Sequence, residues 1–104
     1  MKNKSVTLNE ILARKLQNEE FRLAFEEHRF YLQIAHLISD LRTKAGLSQT
    51  VVAKRAGVSQ AMIARLEKGD SRRKPTLDTI FRLLNVLGYT MSIHVQKERR
   101  KRAA

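Results

Sequence analysis

Residues 47–69 read LSQTVVAKRAGVSQAMIARLEKG, and this stretch decides the fold. Ser48 and Ser59 are residue types that cap helix N-termini, and each precedes a run long enough for a short helix. Gly57 lies between the two runs, where a tight turn needs a positive φ. Helices joined this closely cross at a steep angle, so Ala53 must be small for them to approach. We therefore interpret the segment as a helix-turn-helix, with the wedge between its helices filled by Val58, Ile63 and Leu66.

Two helical segments are predicted before this pair. Thr7 and Glu10 fit a capping box, and the apolar residues that follow at helical spacing predict a short helix to about Gln17. Residues 19–45 contain no Pro or Gly and carry apolar side chains every three or four positions. The segment forms either one long helix or two helices that join near residues 28–30. Because a single helix of that length exceeds the usual length of a globular helix, we favour a break or kink there.

The sequence after the pair predicts one more helix. Pro75 and Thr76 suit a helix start, and Gly88 suits its end. The single apolar stripe of this helix consists of Ile80, Leu83, Leu84 and Leu87. Up to Gly88 the chain is therefore predicted to be all-α.

The period then changes from 3.6 to 2 over residues 89–96, which predicts one half-buried strand. Its alternating apolar residues are Tyr89, Met91, Ile93 and Val95. Because a lone strand leaves its backbone N–H and C=O groups unpaired, we expect it to pair with the same strand of a second molecule across a two-fold axis. A basic tail at 97–104 follows it.

Charge is the strongest compositional signal. The 104 residues, enough for one domain, hold 21 Lys and Arg against 10 Asp and Glu, a net charge of +11. Residues 1–46 hold eight basic and six acidic side chains, a balance of +2, whereas residues 47–104 hold thirteen and four, a balance of +9. Such an excess implies a polyanionic partner, nucleic acid or an acidic membrane face, bound by the second half of the chain.

Other function classes are disfavoured. The absence of Cys excludes disulfides, thiolate metal sites and a cysteine nucleophile. No run approaches the ~18 apolar residues of a membrane span, and the first residues lack the apolar core of a secretion signal, so we expect a soluble, cytoplasmic protein. His28, His36 and His94 show no metal-ligand spacing, and no nucleophile elbow, phosphate loop or dinucleotide fingerprint occurs. We expect neither an enzyme nor a bound cofactor.

The helix pair at 47–69 closely resembles that of the Xre or Cro/CI family, the lambda-repressor-like helix-turn-helix domains. The resemblance covers residues 30–88 and implies a compact helical bundle whose second motif helix, capped by Ser59, inserts into the major groove of DNA. We accordingly divide the chain into an N-terminal helical extension (1–29), a helix-turn-helix domain (30–88), a dimerisation strand (89–96) and the basic tail (97–104).

Base contacts follow from the resemblance. Gln60, Ala61 and Arg65 stand where the family's side chains meet base edges. Their chemistry agrees, because glutamine can pair with adenine, arginine with guanine and an alanine methyl with thymine. The alternatives are that Gln60 simply faces solvent and that Arg65 forms a surface ion pair with Glu67 or Asp70.

Backbone contacts are expected around the same helices. Gln49 stands where the family places a glutamine that contacts the DNA backbone, and it too has the alternative of a plain solvent-facing residue. The remaining candidates for DNA backbone contact are Ser48, Ser59, Lys54, Arg72, Arg73 and Lys74. A basic loop directly after the recognition helix lies where phosphates run, although the same cations would also serve as solubilising charge.

The flanks resemble those of antitoxins of the HigA and HipB kind, in which a helical extension precedes the domain and a dimerising strand follows it. This resemblance implies a homodimer that represses its own operon at a palindromic operator and neutralises an mRNA-cleaving toxin of the RelE/HigB type. Phe21, Phe25 and Glu26 are candidate toxin contacts, or the two phenylalanines only pin the N-terminal helices to the bundle. A stand-alone phage-type or restriction-control repressor and a toxin inhibitor without a DNA role remain as alternatives.

Overall fold

The computed structural model describes residues 7–70 and 72–98, and five α-helices follow one another in this part of the chain. They are α1 Leu8–Lys15, α2 Glu19–Lys44, α3 Gln49–Ala56, α4 Gln60–Glu67 and α5 Leu77–Val86. No strand occurs in the described residues. None of the described helices is both long and apolar enough to cross a membrane.

The helix starts lie where the sequence places them, because a polar side chain caps each of the first four. The side-chain oxygens of Thr7, Asn18, Ser48 and Ser59 accept hydrogen bonds from the backbone N–H three residues later, at 3.0–3.1 Å. Each cap satisfies one N–H that the first turn of a helix leaves without a partner. The predicted roles of Thr7, Ser48 and Ser59 as N-caps are therefore confirmed.

The predicted break near residues 28–30 is wrong, because α2 runs for 26 residues without interruption. No Pro or Gly occurs in α2 to remove a backbone hydrogen bond or loosen the chain. The expectation relied on typical helix lengths alone, and a length preference is weaker than an unbroken run of helix-compatible residues. At about 1.5 Å per residue, α2 is about 39 Å long. It also runs across the boundary at residue 29 between the predicted extension and the predicted domain.

The core lies where the second half of α2 meets α3, α4 and α5. Tyr31, Ala35 and Ile38 are the buried residues of α2, and all three lie from the middle of the helix onward. The buried residues contributed by α3, α4 and the α5 region are Val52, Ala53, Ala56, Ile63, Leu66, Ile80, Leu83, Leu84 and Leu87. Residues 19–30 of α2 and all of α1 contribute no fully buried residue. The N-terminal extension therefore stands outside the core.

The turn between α3 and α4 has the geometry that the sequence predicts. Gly57 adopts φ 70°, the left-handed conformation that ends a helix, and the backbone N–H of Val58 donates to the carbonyl of Ala53 at 3.0 Å. Ala53 is only 3% exposed at the crossing of the helices, where a larger side chain would separate them. The helix-turn-helix interpretation of this segment is confirmed.

After α5 the chain runs on through residues 89–98 without regular secondary structure. The N–H of Tyr89 donates to the carbonyl of Leu84 at 2.8 Å, and Met91 packs against the core. Ile93 and Val95 are 69% and 84% exposed. The C-terminal strand is thus not formed within the single chain, and its pairing across a dimer stays a prediction. Most of the basic tail, residues 99–104, lies outside the described residues.

Candidate nucleic-acid interface

The N-termini of α3 and α4 lie side by side, and their first residues touch. The side-chain Nε2 of Gln60, first residue of α4, donates to Oε1 of Gln49, first residue of α3, at 2.8 Å. Gln60 is exposed and Gln49 is half-buried. Ser48 and Ser59, the two caps, are exposed at the same ends, and each hydroxyl hydrogen can still donate to an acceptor such as a phosphate oxygen. Two helix N-termini side by side also offer a positive electrostatic environment for an anion.

A buried ion pair supports this arrangement from behind. Arg42 Nε and Nη2 donate to the two carboxylate oxygens of Glu67 at 2.7 and 2.8 Å, and Arg42 Nη1 donates to the carbonyl of Leu47 at 2.8 Å. The Glu67 side chain is only 7% exposed. Its Oε1 also accepts a hydrogen bond from Nε2 of Gln49 at 3.1 Å. Arg42, Glu67, Gln49 and Gln60 therefore form one hydrogen-bonded chain, which we name the Arg42–Gln60 relay.

The protonation state of Glu67 follows from this environment. Burial on its own raises the pKa of the carboxyl, but the hydrogen bonds from Arg42, Gln49 and Ser39 and the charge of Arg42 together bring it below the ordinary value of 4.5. Glu67 is thus a carboxylate at neutral pH. A carboxylate only accepts hydrogen bonds, so it sets the direction of every bond in the relay.

Sequence reasoning missed the relay. Arg42 and Glu67 are 25 positions apart, and no local spacing joins them. The alternative in which Arg65 pairs with Glu67 is wrong, because Glu67 is occupied by Arg42. The one available signal was a Glu in the last turn of α4 directly after the core residue Leu66, a position that faces the inside of the bundle.

Arg65 lies with the basic loop that follows α4. Arg65, Asp70, Arg72 and Arg73 line a hollow of about 220 Å³. Nε of Arg65 is buried and has no hydrogen-bond partner among the described residues. Asp70 is bound instead by Arg72, whose Nη2 lies 2.9 Å from Oδ2, and this contact lowers the pKa of Asp70 to about 2. The hollow thus presents a net positive charge, with Arg65 at its inner edge.

The other candidates divide between two places. Ala61 is exposed near the start of α4, and Lys54 and Arg73 are exposed on α3 and in the loop. Lys74 instead turns toward α2, with its Nζ 6.0 Å from the ring centroid of Tyr31. The structure therefore groups most of the candidates on the α3–α4 side, and Lys74 lies at a neighbouring groove between α2 and the start of α5.

The candidate toxin contacts lie on the first half of α2. The Phe21 and Phe25 rings are stacked with centroids 6.3 Å apart, and Nζ of Lys15 from α1 lies 5.5 Å from the Phe21 centroid. Glu26 forms an ion pair with Arg22, with Nη1 and Oε2 2.8 Å apart. Of these contacts, the one between Lys15 and Phe21 joins α1 to α2. A role of Phe21, Phe25 and Glu26 in binding a toxin stays a prediction.

No group of three or more potential metal ligands occurs among residues 7–70 and 72–98. His28, His36 and His94 are all exposed and belong to separate parts of the chain.

The family follows from these features together with the sequence match. The chain matches the model of the family described as Helix-turn-helix over residues 38–93, more than half of its length. It belongs to this family, in the Xre-type group of DNA-binding transcriptional regulators.

Two curated relatives support this assignment. The chain is 46% identical over 52 residues to an HTH-type transcriptional regulator of Haemophilus influenzae, an alignment that covers 50% of this chain and 51% of that protein. It is 44% identical over 48 residues to the HTH-type transcriptional regulator y4dJ of Sinorhizobium fredii, with 46% and 60% covered. The chain thus spans between half and three fifths of the length of these relatives.

Three solved structures share the fold. One chain in the structure of a HipA-HipB-O2-O3 complex is 30% identical with a TM-score of 0.54, covering 64% of this chain and 92% of that one. An XRE family transcriptional regulator is 28% identical with a TM-score of 0.61, covering 78% and 90%. A toxin-antitoxin module from Streptococcus pneumoniae is 28% identical with a TM-score of 0.58, covering 90% and 97%.

Proposed function

We propose that this regulator is a homodimeric repressor that binds a palindromic operator through the α3–α4 face. The observation that carries the proposal is the direct contact of Gln49 with Gln60, which sets the first residues of both motif helices at one exposed edge. An α-helix fits the major groove of B-DNA, and two copies about 34 Å apart reach successive turns on one side of the duplex.

Within this proposal the α4 side chains read bases and their surroundings bind phosphates. Gln60, Ala61 and Arg65 project from α4 toward base edges, with adenine, thymine and guanine as their respective partners. Ser48, Ser59, Gln49 and Lys54 contact phosphates from the helix starts and from α3. The loop contributes Arg72, Arg73 and Lys74 to the phosphates that flank the groove.

Dimerisation completes the proposed DNA-binding unit. The exposure of Ile93 and Val95 supports a role for residues 89–96 as a strand that pairs with its copy, because the pairing would cover these side chains and satisfy their backbone groups. The predicted strand also includes Tyr89 and Met91. We place the two-fold axis of the dimer between the two paired strands.

We further propose that the protein is the antitoxin of a toxin–antitoxin pair and represses its own operon. The likeness to chains of a HipA-HipB-O2-O3 complex and of a toxin-antitoxin module supports this role. The partner would be a basic mRNA-cleaving toxin of the RelE/HigB type, bound at Phe21, Phe25 and Glu26. An acidic surface with apolar anchors suits such a partner.

The test combines a pull-down with a gel-shift assay. The tagged protein is recovered from its native host and its companions are identified, and the same preparation is titrated with the promoter fragment of its own operon. A small ribonuclease in the pull-down and a salt-sensitive shift of the promoter are the expected results. A shift without any companion favours the stand-alone repressor, and a companion without a shift favours the inhibitor without a DNA role.

A further inference from the structure

We propose that Glu67 is a positioning residue for base recognition, because it fixes through Gln49 which atoms of the Gln60 amide are presented to DNA. The inference rests on the proposed reading of a base by Gln60 and extends it to a residue that touches no DNA. Glu67 lies in the last turn of α4, whereas Gln60 lies at its start. The Arg42–Gln60 relay joins them.

The hydrogen bonds of the relay have a fixed direction. The Glu67 carboxylate can only accept, so the neighbouring Gln49 must turn its Nε2 toward it. The Oε1 of Gln49 then faces Gln60, and Gln60 must answer with an N–H. If either amide were reversed, two oxygens or two N–H groups would face each other. One buried carboxylate therefore sets the orientation of both amides.

The orientation leaves a specific pair of atoms available on Gln60. Its Nε2 carries two hydrogens, one of which is used by Gln49, so one N–H and the carbonyl Oε1 remain. This is the donor and acceptor pair that the major-groove edge of adenine requires, since adenine offers N7 as acceptor and its N6 amino group as donor. Guanine offers two acceptors at the same edge, and the fixed Oε1 would face one of them.

The Glu67 carboxylate is held rigidly, so it restricts the Gln60 amide more strongly than a hydrogen bond between two exposed side chains would. The Glu67 side chain is 7% exposed and the Arg42 side chain 17%, and Arg42 binds both carboxylate oxygens and the Leu47 carbonyl. A carboxylate bound in this way cannot reorient when the amide of Gln49 or Gln60 reverses. A reversal of Gln60 thus costs at least one hydrogen bond in the relay, a factor of about fivefold in binding.

The test measures base preference as well as affinity. The full-length protein first selects a preferred duplex from a pool of random-sequence DNA, and the base pair read by Gln60 is the one whose preference disappears in Gln60→Ala. Duplexes with each of the four bases at that position are then titrated with the wild type and with Glu67→Gln. Glutamine keeps the size of the side chain but can accept or donate, so it no longer dictates a direction.

We expect the wild type to prefer adenine at this position by on the order of tenfold. In Glu67→Gln the preference should fall about fivefold, mainly because the guanine duplex binds better. The base pair read by Arg65 is the internal control, and its preference should not change. A merely structural role of Glu67 would instead weaken both preferences together.

Two further variants test the role of the relay if Glu67→Gln folds poorly. Gln49→Ala leaves the ion pair between Arg42 and Glu67 intact but cuts the relay, and the same loss of adenine preference is expected. Ser39→Ala removes a hydroxyl that helps to lower the pKa of Glu67 without altering the acceptor-only character of the carboxylate, so the preference should persist. An unchanged preference in both Glu67→Gln and Gln49→Ala would overturn this inference alone. If the wild type enriches no sequence, the proposed DNA recognition fails, and the inference with it.

Discussion

At the scale of single residues, Arg65 is more enclosed than the arginines of the loop that follows α4. Its side chain is half-buried with Nε enclosed, whereas the Arg72 side chain is 87% exposed and Arg73 is exposed as well. A side chain that is partly enclosed loses less conformational freedom when it meets a base. A freely mobile arginine is better suited to a phosphate, which it can approach from many directions.

This difference predicts separate effects of two substitutions. Arg65→Ala should cost about 1–3 kcal/mol on the selected operator and relax the preference at one base pair. Arg73→Ala should weaken binding to every duplex by a similar factor, because a phosphate contact carries no sequence information. Titration of both variants with operator and with random duplex is the measurement. Equal losses on both DNAs for both variants would contradict the division of roles.

Substitution by alanine is predicted to destabilise the protein more at Gly69, which follows the recognition helix, than at Gly57 in the turn between α3 and α4. Both Gly69 and Gly57 have positive φ, at 74° and 70°, so alanine at either position costs about 1 kcal/mol of backbone strain. A Cβ on Gly69 would also lie 2.5 Å from Cδ2 of Leu32 in α2, whereas at Gly57 the closest atom is 4.0 Å away. Gly69→Ala should therefore lower the free energy of unfolding by more than Gly57→Ala in denaturant titrations, and the reverse order would refute the close contact.

The stability that Glu67 contributes should depend on pH. The folded protein holds the pKa of Glu67 below 4.5, so its contribution is complete above about pH 4.5 and is lost as the pH falls through the lower value of the folded state. Glu67→Gln should be less stable than the wild type by about 2 kcal/mol at pH 7, and the gap should close toward pH 3.

Thermal unfolding of both proteins between pH 7 and pH 3 is the measurement. Glu20→Gln, on the exposed side of α2, is the control and should behave as the wild type throughout. A gap that stays constant down to pH 3 would argue against the ionised pair.

The residues that the sequence could predict are those whose constraint is local. Ser48, Ser59 and Gly57 act on backbone groups within three or four positions, so their types at the right spacing were sufficient. Glu67 is the opposite case, because its role depends on a contact with Arg42, which the fold brings close from another helix. The electrostatic support of the site was therefore beyond a reading of one segment at a time.

At the scale of elements, α2 and the C-terminal segment show where periodicity stops being informative. Apolar side chains recur along all of α2, yet only Tyr31, Ala35 and Ile38 are buried, because the first half of the helix has no helix of the core against it. The alternation at 89–96 describes a strand equally well whether or not a partner strand exists in the same chain. Periodicity predicts the conformation of a segment. Whether its apolar face is buried depends on the element that packs against it.

The dimerisation role of the C-terminal segment can be tested by comparing its two faces. Ile93→Glu places a charge on the apolar face of the predicted strand, and we expect the dimer dissociation constant to rise by at least tenfold, on the order of 1–2 kcal/mol. His94→Glu places the same charge on the opposite face and should leave the dimer intact. Sedimentation equilibrium measures both, and equal behaviour of the two variants would argue against a two-faced strand.

At the scale of the whole molecule, charge is distributed in the way the proposed binding face requires. The second half of the chain holds nine of the eleven net positive charges, and it contains α3, α4 and the basic loop. The fold class and this asymmetry could both be predicted from the sequence, because helix periodicity and charge are properties of the chain itself. The proposed dimer is not decided by these properties, since the strand that it requires as a partner would belong to another molecule.

Salt dependence should report the number of phosphates that the dimer neutralises. If two to four cations of each protomer reach phosphates, a dimer neutralises about four to eight, and the slope of log K against log salt should lie between about −4 and −7. Removing Arg73 from both protomers should reduce the magnitude of the slope by about two. Gel-shift titrations from about 50 to about 300 mM salt measure the slope, and a slope near zero would exclude phosphate binding by this face.

The unbroken course of α2 gives the molecule a lever. Its second half is fixed in the same core as the recognition helix, while its first half extends outward, so a force on Phe21 or Phe25 is transmitted along a rod of about 39 Å. A tilt of about 5° moves the far end of such a rod by about 3 Å, a displacement comparable with one hydrogen-bond length. In the proposed DNA complex, a partner bound to the amino-terminal turns could therefore shift α4 without touching DNA, and a hinge at residues 28–30 would have removed that coupling.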